Sequence, residues 1–174
     1  QKVEVFKNEP GNSNSLSANQ VLDIYIESEN RIWVATFGGG LNELTFSENT
    51  SGVPEFKSYK KNLSDLSSLS DDRAYIILKD SKENFWIGTY GGGLNKFDEQ
   101  KGTFEVFSTD SQNPQSAFNE KILSIYESIN GILWIGTSGG GLHQFNPETN
   151  SFKNYSSAQG LTSSVVYGIL EDSN

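Results

Sequence analysis

The chain has 174 residues, a formal net charge of −9, 12% aromatic residues, 17 glycines and no cysteine. The negative charge makes unspecific attraction to nucleic-acid phosphates or an anionic membrane surface unfavourable, and the missing cysteines exclude disulfides, thiolate metal sites and a cysteine nucleophile. No apolar run approaches the ~20 residues of a membrane-spanning helix, so neither nucleic acid nor direct membrane insertion is expected of these residues.

Residues 1–7 alternate polar and apolar side chains through Val3, Val5 and Phe6, the pattern of a strand with one wet face, and they read as a single outer strand. A loop rich in Gly, Asn and Ser from Asn8 to Gln20 leads into the apolar run Val21-Leu22-Asp23-Ile24-Tyr25-Ile26, which reads as a strand covered on both faces. A turn at Glu27–Asn30 is followed by a strand through Trp33, a turn at Gly38-Gly39-Gly40, a returning strand from Leu41, and a fourth strand around Phe56. These four short antiparallel strands, A to D from inside to outside, make one blade over residues 21–60. The pattern returns over 74–108 and 121–155, and residues 165–172 repeat the inner strand once more, giving fourteen predicted strands in all.

The register rests on two recurring aromatics. Trp33, Trp86 and Trp134 are separated by 53 and 48 residues, and Phe6, Phe56, Phe104 and Phe152 by 50, 48 and 48. A period near 40–50 residues with four strands per unit is the signature of a β-propeller. The expected fold class is therefore all-β, a propeller fragment of about three and a half four-stranded antiparallel blades. Ile24, Ile77, Ile125 and Ile169 occupy the equivalent place in each inner strand and are expected to complete the seam that each tryptophan fills.

The glycine triplets invite comparison with phosphate-binding loops, but no helix and no Lys-Ser/Thr pair follows them. They read instead as tight B-to-C turns that need positive φ and leave no room for a Cβ. The acidic turns before each tryptophan lack the ordered oxygen ladder of a calcium loop. His143, the only histidine, stands where the other copies have Asn42 and Asn95 and has no partner in the sequence for a metal or catalytic constellation. No catalytic residue, metal or cofactor is expected.

In an antiparallel blade the D-to-A and B-to-C connections share one end, and there the D-to-A loops 8–20, 60–73, 108–121 and 156–164 are long and unlike one another. Candidate ligand residues are those that differ between copies at this end: Phe37, Tyr90 and Ser138 before the glycines, and Gln20, Arg73 and Lys121 opening the inner strands. Asp23, equivalent to Ile76, Ser124 and Gly168, is a further candidate facing the central channel. An aromatic beside a hydrogen-bonding or cationic side chain suits a sugar face or an anionic group.

The phrase Trp134-Ile135-Gly136-Thr137-Ser138-Gly139-Gly140-Gly141-Leu142, with its copies at Trp86 and Trp33, resembles the two-component regulator propeller repeat. The resemblance extends over essentially the whole chain. The first copy departs from it, with Val34-Ala35 in place of Ile-Gly. The resemblance implies a non-enzymatic, periplasmic sensor segment of a bacterial hybrid two-component regulator of the Bacteroidetes type, whose ligand is an oligosaccharide and whose parent is a histidine kinase with a further β-domain and a membrane span. The alternatives are a scaffold for protein contacts or receptor dimerisation and, less favoured, a propeller lyase or glycosidase built on Asp23 and Glu120. The end blades expose apolar faces, so further blades of a longer ectodomain or self-association are the expected partners.

Overall fold

The computed structural model of the chain describes residues 3–47, 53–107 and 121–172. Twelve strands form three four-stranded antiparallel sheets. The first contains β1 (Val21–Ser28), β2 (Arg31–Thr36), β3 (Gly40–Thr45) and β4 (Glu55–Tyr59). The second contains β5 (Ala74–Lys79), β6 (Phe85–Thr89), β7 (Leu94–Asp98) and β8 (Thr103–Phe107), and the third β9 (Ile122–Glu127), β10 (Leu133–Thr137), β11 (Leu142–Asn146) and β12 (Ser151–Tyr155). Strands are ordered as they follow in the chain, and β5 lies against β1 and β2 as β9 lies against β5 and β6. The sheets thus fan out as propeller blades with their first strands innermost, an all-β fragment of about three blades.

The seams between blades are where the repeated residues meet. Trp33 is fully buried among Phe85, Phe97, Tyr59 and Ile77, with its ring 5.0 Å from Phe85 and 5.4 Å from Phe97. Trp86 repeats the arrangement against Ile122, Ile125 and Phe145. Each of these two indole N–H groups is satisfied by a carboxylate six residues earlier: Trp33 Nε1 donates to Glu27 Oε2 (3.1 Å), at the end of β1, and Trp86 Nε1 to Asp80 Oδ2 (2.8 Å), just after β5. For these two tryptophans, packing and polar satisfaction are therefore built together, while Trp134 has Ser128 at the equivalent place.

Blade contact also explains the departure at Val34-Ala35. A Cβ on Gly88 would lie 2.5 Å from Ile122 Cγ2 and 2.6 Å from Ile76 Cγ2, so the second blade needs glycine where the next inner strand brings isoleucine. In the first blade the equivalent residue is Ala35, and the residue equivalent to Ile122 is Ala74, both wholly buried in one cluster. The two positions trade volume across the seam.

At the end of the seam carrying the A-to-B turns, a network of charges joins the first two blades. Arg31 contacts Glu43 (2.7 Å), Glu99 (2.7 Å) and Glu27 (3.1 Å), Lys79 pairs with Glu27 (2.6 Å), and Tyr59 Oη donates to Glu43 (2.9 Å). Burial works to raise the Glu27 carboxyl, but the hydrogen bonds from Lys79 and Trp33 outweigh it and hold the group below its ordinary value.

The glycine triplets do more than turn the chain. Gly40 has φ 73°, and a Cβ there would run into the carbonyl of Tyr59. The amides of Gly38 and Gly40 both donate to the carbonyl of Asp72 (2.9 and 2.7 Å), and those of Gly139 and Gly141 both donate to Ser164 (2.9 Å each). The first and third triplets thus grip the segment that follows their own blade, so there the amide pair that suggested an anion cradle is occupied by the protein's own backbone.

Two predicted strands do not form. Residues 3–7 carry no strand pairing, and Phe6 instead packs against Phe46 and Phe56 on the first blade. Residues 165–172 make one isolated bridge, Val165 with Ser138, and a bond from Val166 N to Thr137 O (3.0 Å). An outer strand needs a third strand beside it and an inner strand a second, and neither neighbour occurs among these residues. The same geometry divides the isoleucines: Ile77 and Ile125 are buried in seams, whereas Ile24 is 56% exposed because no blade covers its face.

Candidate functional site

The end of the fragment that carries the glycine turns holds a concavity of about 320 Å³. The first blade contributes Gln20, Leu22 and Phe37 to its wall, the second Tyr75 and Tyr90, the third Leu123 and Ser138, and Tyr167 closes it from beyond the third blade. Three blades place these side chains through one device. The N–H of Phe37, Tyr90 and Ser138 donates to the carbonyl of Gln20, Arg73 and Lys121 within its own blade (2.9 Å each), and the same three residues form bridges to Arg73, Lys121 and Val165 of the segment that follows.

Of the residues singled out from sequence, Phe37, Tyr90, Ser138 and Gln20 are thus brought together at one wall. Arg73 and Lys121 stand beside Tyr90, with the Arg73 guanidinium 5.8 Å and Lys121 Nζ 5.6 Å from its ring centroid. Arg73 is held flat by Asp71 through Nε–Oδ1 (2.7 Å) and Nη2–Oδ2 (2.8 Å), and this pairing raises Arg73 above its ordinary value and lowers Asp71. Asp23 does not line the concavity. Its Oδ2 accepts from the backbone N–H of Ile77 in the next blade (2.8 Å), and Oδ1 accepts from Ile24 N (2.9 Å), so the carboxylate ties two inner strands together. Glu120 lies outside the described residues.

Sequence reasoning missed Leu22, Tyr75, Leu123 and Tyr167. The variable inner-strand position named from the sequence, Asp23, Ile76 and Ser124, lies one residue further on. The pairing of every inner strand skips a residue: between Val21 and Asp23, between Ala74 and Ile76, and between Ile122 and Ser124. No residue type marks this bulge in the sequence. The equivalence of Val166-Tyr167 with Ala74-Tyr75 was the one usable signal for Tyr167.

The wall is aromatic. Tyr75 stacks on Tyr90 (6.0 Å, 26°), and Phe37 meets Tyr90 at 5.9 Å. A larger hollow of about 600 Å³ opens along the outer edge of the second blade, between Glu83, Lys96, Glu99 and Lys101. Several of its charges are paired, as in Lys101–Asp98 (2.7 Å) and Lys79–Glu99 (3.5 Å). It draws on one blade only. The smaller concavity is the better candidate, since side chains from successive blades converge there with apolar surface and a few polar groups. Among the described residues no three His, Asp or Glu side chains group as metal ligands would.

A family model described as the two-component regulator propeller matches residues 15–38, 68–91 and 116–139. These three stretches are two-component regulator propeller repeats. Each match starts ahead of an inner strand in the sequence and ends on the first glycine of a triplet, so all of the concavity except Tyr167 lies inside the matched repeats.

Among solved structures, the extracellular domain of BT3049 from B. thetaiotaomicron, assigned to a hybrid two-component system, is 25% identical, with a TM-score of 0.71 over 86% of this chain and 20% of that one. The extracellular domain of BT4673 from the same organism matches at 23% identity and a TM-score of 0.71, over 89% of this chain and 21% of that one. The repeat chain spans about a fifth of the length of these two structures. Virginiamycin B lyase from Staphylococcus aureus shares the fold alone, at 12% identity and a TM-score of 0.55 over 86% of this chain and 43% of that one. No curated protein matches the chain. No helix among the described residues is long and apolar enough to cross a membrane.

Proposed function

We propose that this propeller segment is a non-catalytic, ligand-recognising part of the periplasmic sensor region of a two-component receptor, with a histidine kinase as the parent protein and an oligosaccharide as the ligand. The observation that carries this reading is the concavity, whose aromatic side chains come from successive blades beside the amide of Gln20 and the hydroxyl of Ser138. Aromatic faces suit the C–H surface of a pyranose, and the two polar groups suit its hydroxyls. The repeat family and the extracellular neighbours support the receptor setting.

One observation favours a protein-contact role in addition. Loops 9–16 and 62–69 share one hydrogen-bonded frame. Asn12 N bonds Glu9 O and Asp65 N bonds Asn62 O (3.0 Å each), while Ser15 Oγ accepts from Glu9 N (3.0 Å) and Ser68 Oγ from Asn62 N (2.8 Å). Where the first loop has Pro10 and Ser13, the second displays Leu63 and Leu66, 86% and 94% exposed. The frame does not need these leucines, so they are free to contact a protein.

Thermal unfolding of the chain with a panel of neutral and uronate-containing oligosaccharides tests the first reading. A ligand present at a hundred times its Kd stabilises by about 2.7 kcal/mol, which raises Tm by about 5–10 °C for a domain of this size. A folded protein whose Tm no panel member moves contradicts sugar recognition. If light scattering of that protein then gives a multimer that dissociates with Leu63→Ser and Leu66→Ser, the protein-contact reading takes its place.

A further inference from the structure

The skipped residue in each inner strand is the same one. Val21 pairs with Thr36 and Asp23 with Ala35, Ala74 with Thr89 and Ile76 with Gly88, Ile122 with Thr137 and Ser124 with Gly136. Leu22, Tyr75 and Leu123 are left without a partner in all three blades, and all three line the concavity. A bulge releases one residue from the ladder and re-aims its side chain. Their neighbours remain tied to the scaffold: Asp23 accepts a bond from Ile77 N, and Ile76 packs on Gly88. The bulged position is therefore held in place by the sheet while its side chain is released from cross-strand pairing. It is Leu, Tyr, Leu and, at the fourth equivalent, Tyr167.

The residues before the glycines are more constrained. Tyr90 is enclosed by Phe37, Tyr75, Arg73 and Lys121, which makes it a support. Tyr75 is held by its stack on Tyr90 and forms part of the wall.

We infer that the bulged residues are the specificity-determining positions of the concavity, with Tyr75 as the platform on which one pyranose ring of a saccharide chain stacks and the leucines setting how closely the neighbouring rings approach. This rests on the reading of the concavity as a saccharide site. Each blade offers one side chain that can be exchanged without disturbing the seam, so the same scaffold can be tuned blade by blade.

The test is affinity for the same oligosaccharide panel, measured by calorimetry on the full chain and on Tyr75→Leu, Tyr75→Phe, Leu22→Tyr and, as a control, Ile76→Val. For the panel members that the unaltered chain binds, Tyr75→Leu is expected to weaken affinity about tenfold, the scale of one aromatic platform. Tyr75→Phe is expected to retain it within about threefold, Leu22→Tyr to reorder the panel, and Ile76→Val to do neither. Binding that survives Tyr75→Leu unchanged, or that Ile76→Val weakens equally, overturns the inference while leaving saccharide recognition standing. Failure of the unaltered chain to bind any member overturns both.

Discussion

Replacing Trp86 with alanine is expected to lower the unfolding free energy by about 3–5 kcal/mol, the range for removing a large aromatic from a packed core. Trp86 is 1% exposed and fills the seam between the second and third blades, its ring 5.7 Å from Phe145 and 5.6 Å from Phe107. The substitution also removes the donor to Asp80, whose remaining bonds come from the Lys82 amide and from Asn84. The same change at Trp134 is expected to cost about 1 kcal/mol or less. Its ring is only partly buried and stacks on Tyr155 of its own blade, with no following sheet among the described residues to close over it. Urea unfolding of the two variants measures the difference. Equal losses would mean that the tryptophans act within their own sheets and that the seam is not the source of stability.

Acidification is expected to destabilise the chain through His143, and His143→Asn to remove that loss. The ring is 1% exposed, with Asn154 Nδ2 at 3.3 Å from Nε2 and a bond to the Gly140 backbone. Burial disfavours the charged ring and brings it down to about 4 from an ordinary 6.5, the bond to Gly140 opposing this only in part. Between those values the unfolded chain binds a proton that the folded chain refuses. Stability is therefore complete above pH 6.5 and is lost as pH falls towards 4. The span corresponds to about 3 kcal/mol.

Asparagine at this position is already accommodated in the other blades. Asn42 and Asn95 donate to the carbonyls of Val34 (3.4 Å) and Ile87 (3.3 Å) and accept from the amides of Ser17 (2.9 Å) and Ser70 (3.1 Å). His143→Asn should thus match the parent chain within about 1 kcal/mol at pH 7.5 and exceed it by about 2–3 kcal/mol at pH 4.5. Carboxylates such as Glu27 titrate alike in both proteins and cancel in the comparison. Parallel loss in the two proteins would remove His143 as the cause.

The blades were legible because their markers are covalent and periodic: one tryptophan, one triplet and one outer phenylalanine per unit. Strand edges that depend on neighbours were not. Residues 3–7 and 165–172 have the right alternation and the wrong surroundings, and Ile24 has the right side chain on an uncovered face. At the concavity, Phe37, Tyr90, Ser138 and Gln20 could be found because the copies disagree there. Tyr75 and Leu22 could not, because a bulge is a property of pairing between two strands and leaves no mark in either one alone. Asp23, also chosen because the copies differ there, ties two inner strands and lies off the concavity. The grip of the Gly38 and Gly40 amides on Asp72 was also invisible, since it joins residues of different blades through backbone atoms alone.

The central claim is that shared residues build the seams and that recognition occurs where successive blades differ around the concavity. Hydrogen–deuterium exchange of the chain, with and without a panel saccharide that raises its melting temperature, addresses it directly. The expected result is slowed exchange confined to the segments around Gln20–Asp23, Phe37, Tyr75, Tyr90, Leu123 and Ser138. Slowed exchange confined to Glu83–Glu105 at the outer edge of the second blade, with no change at those segments, would contradict it.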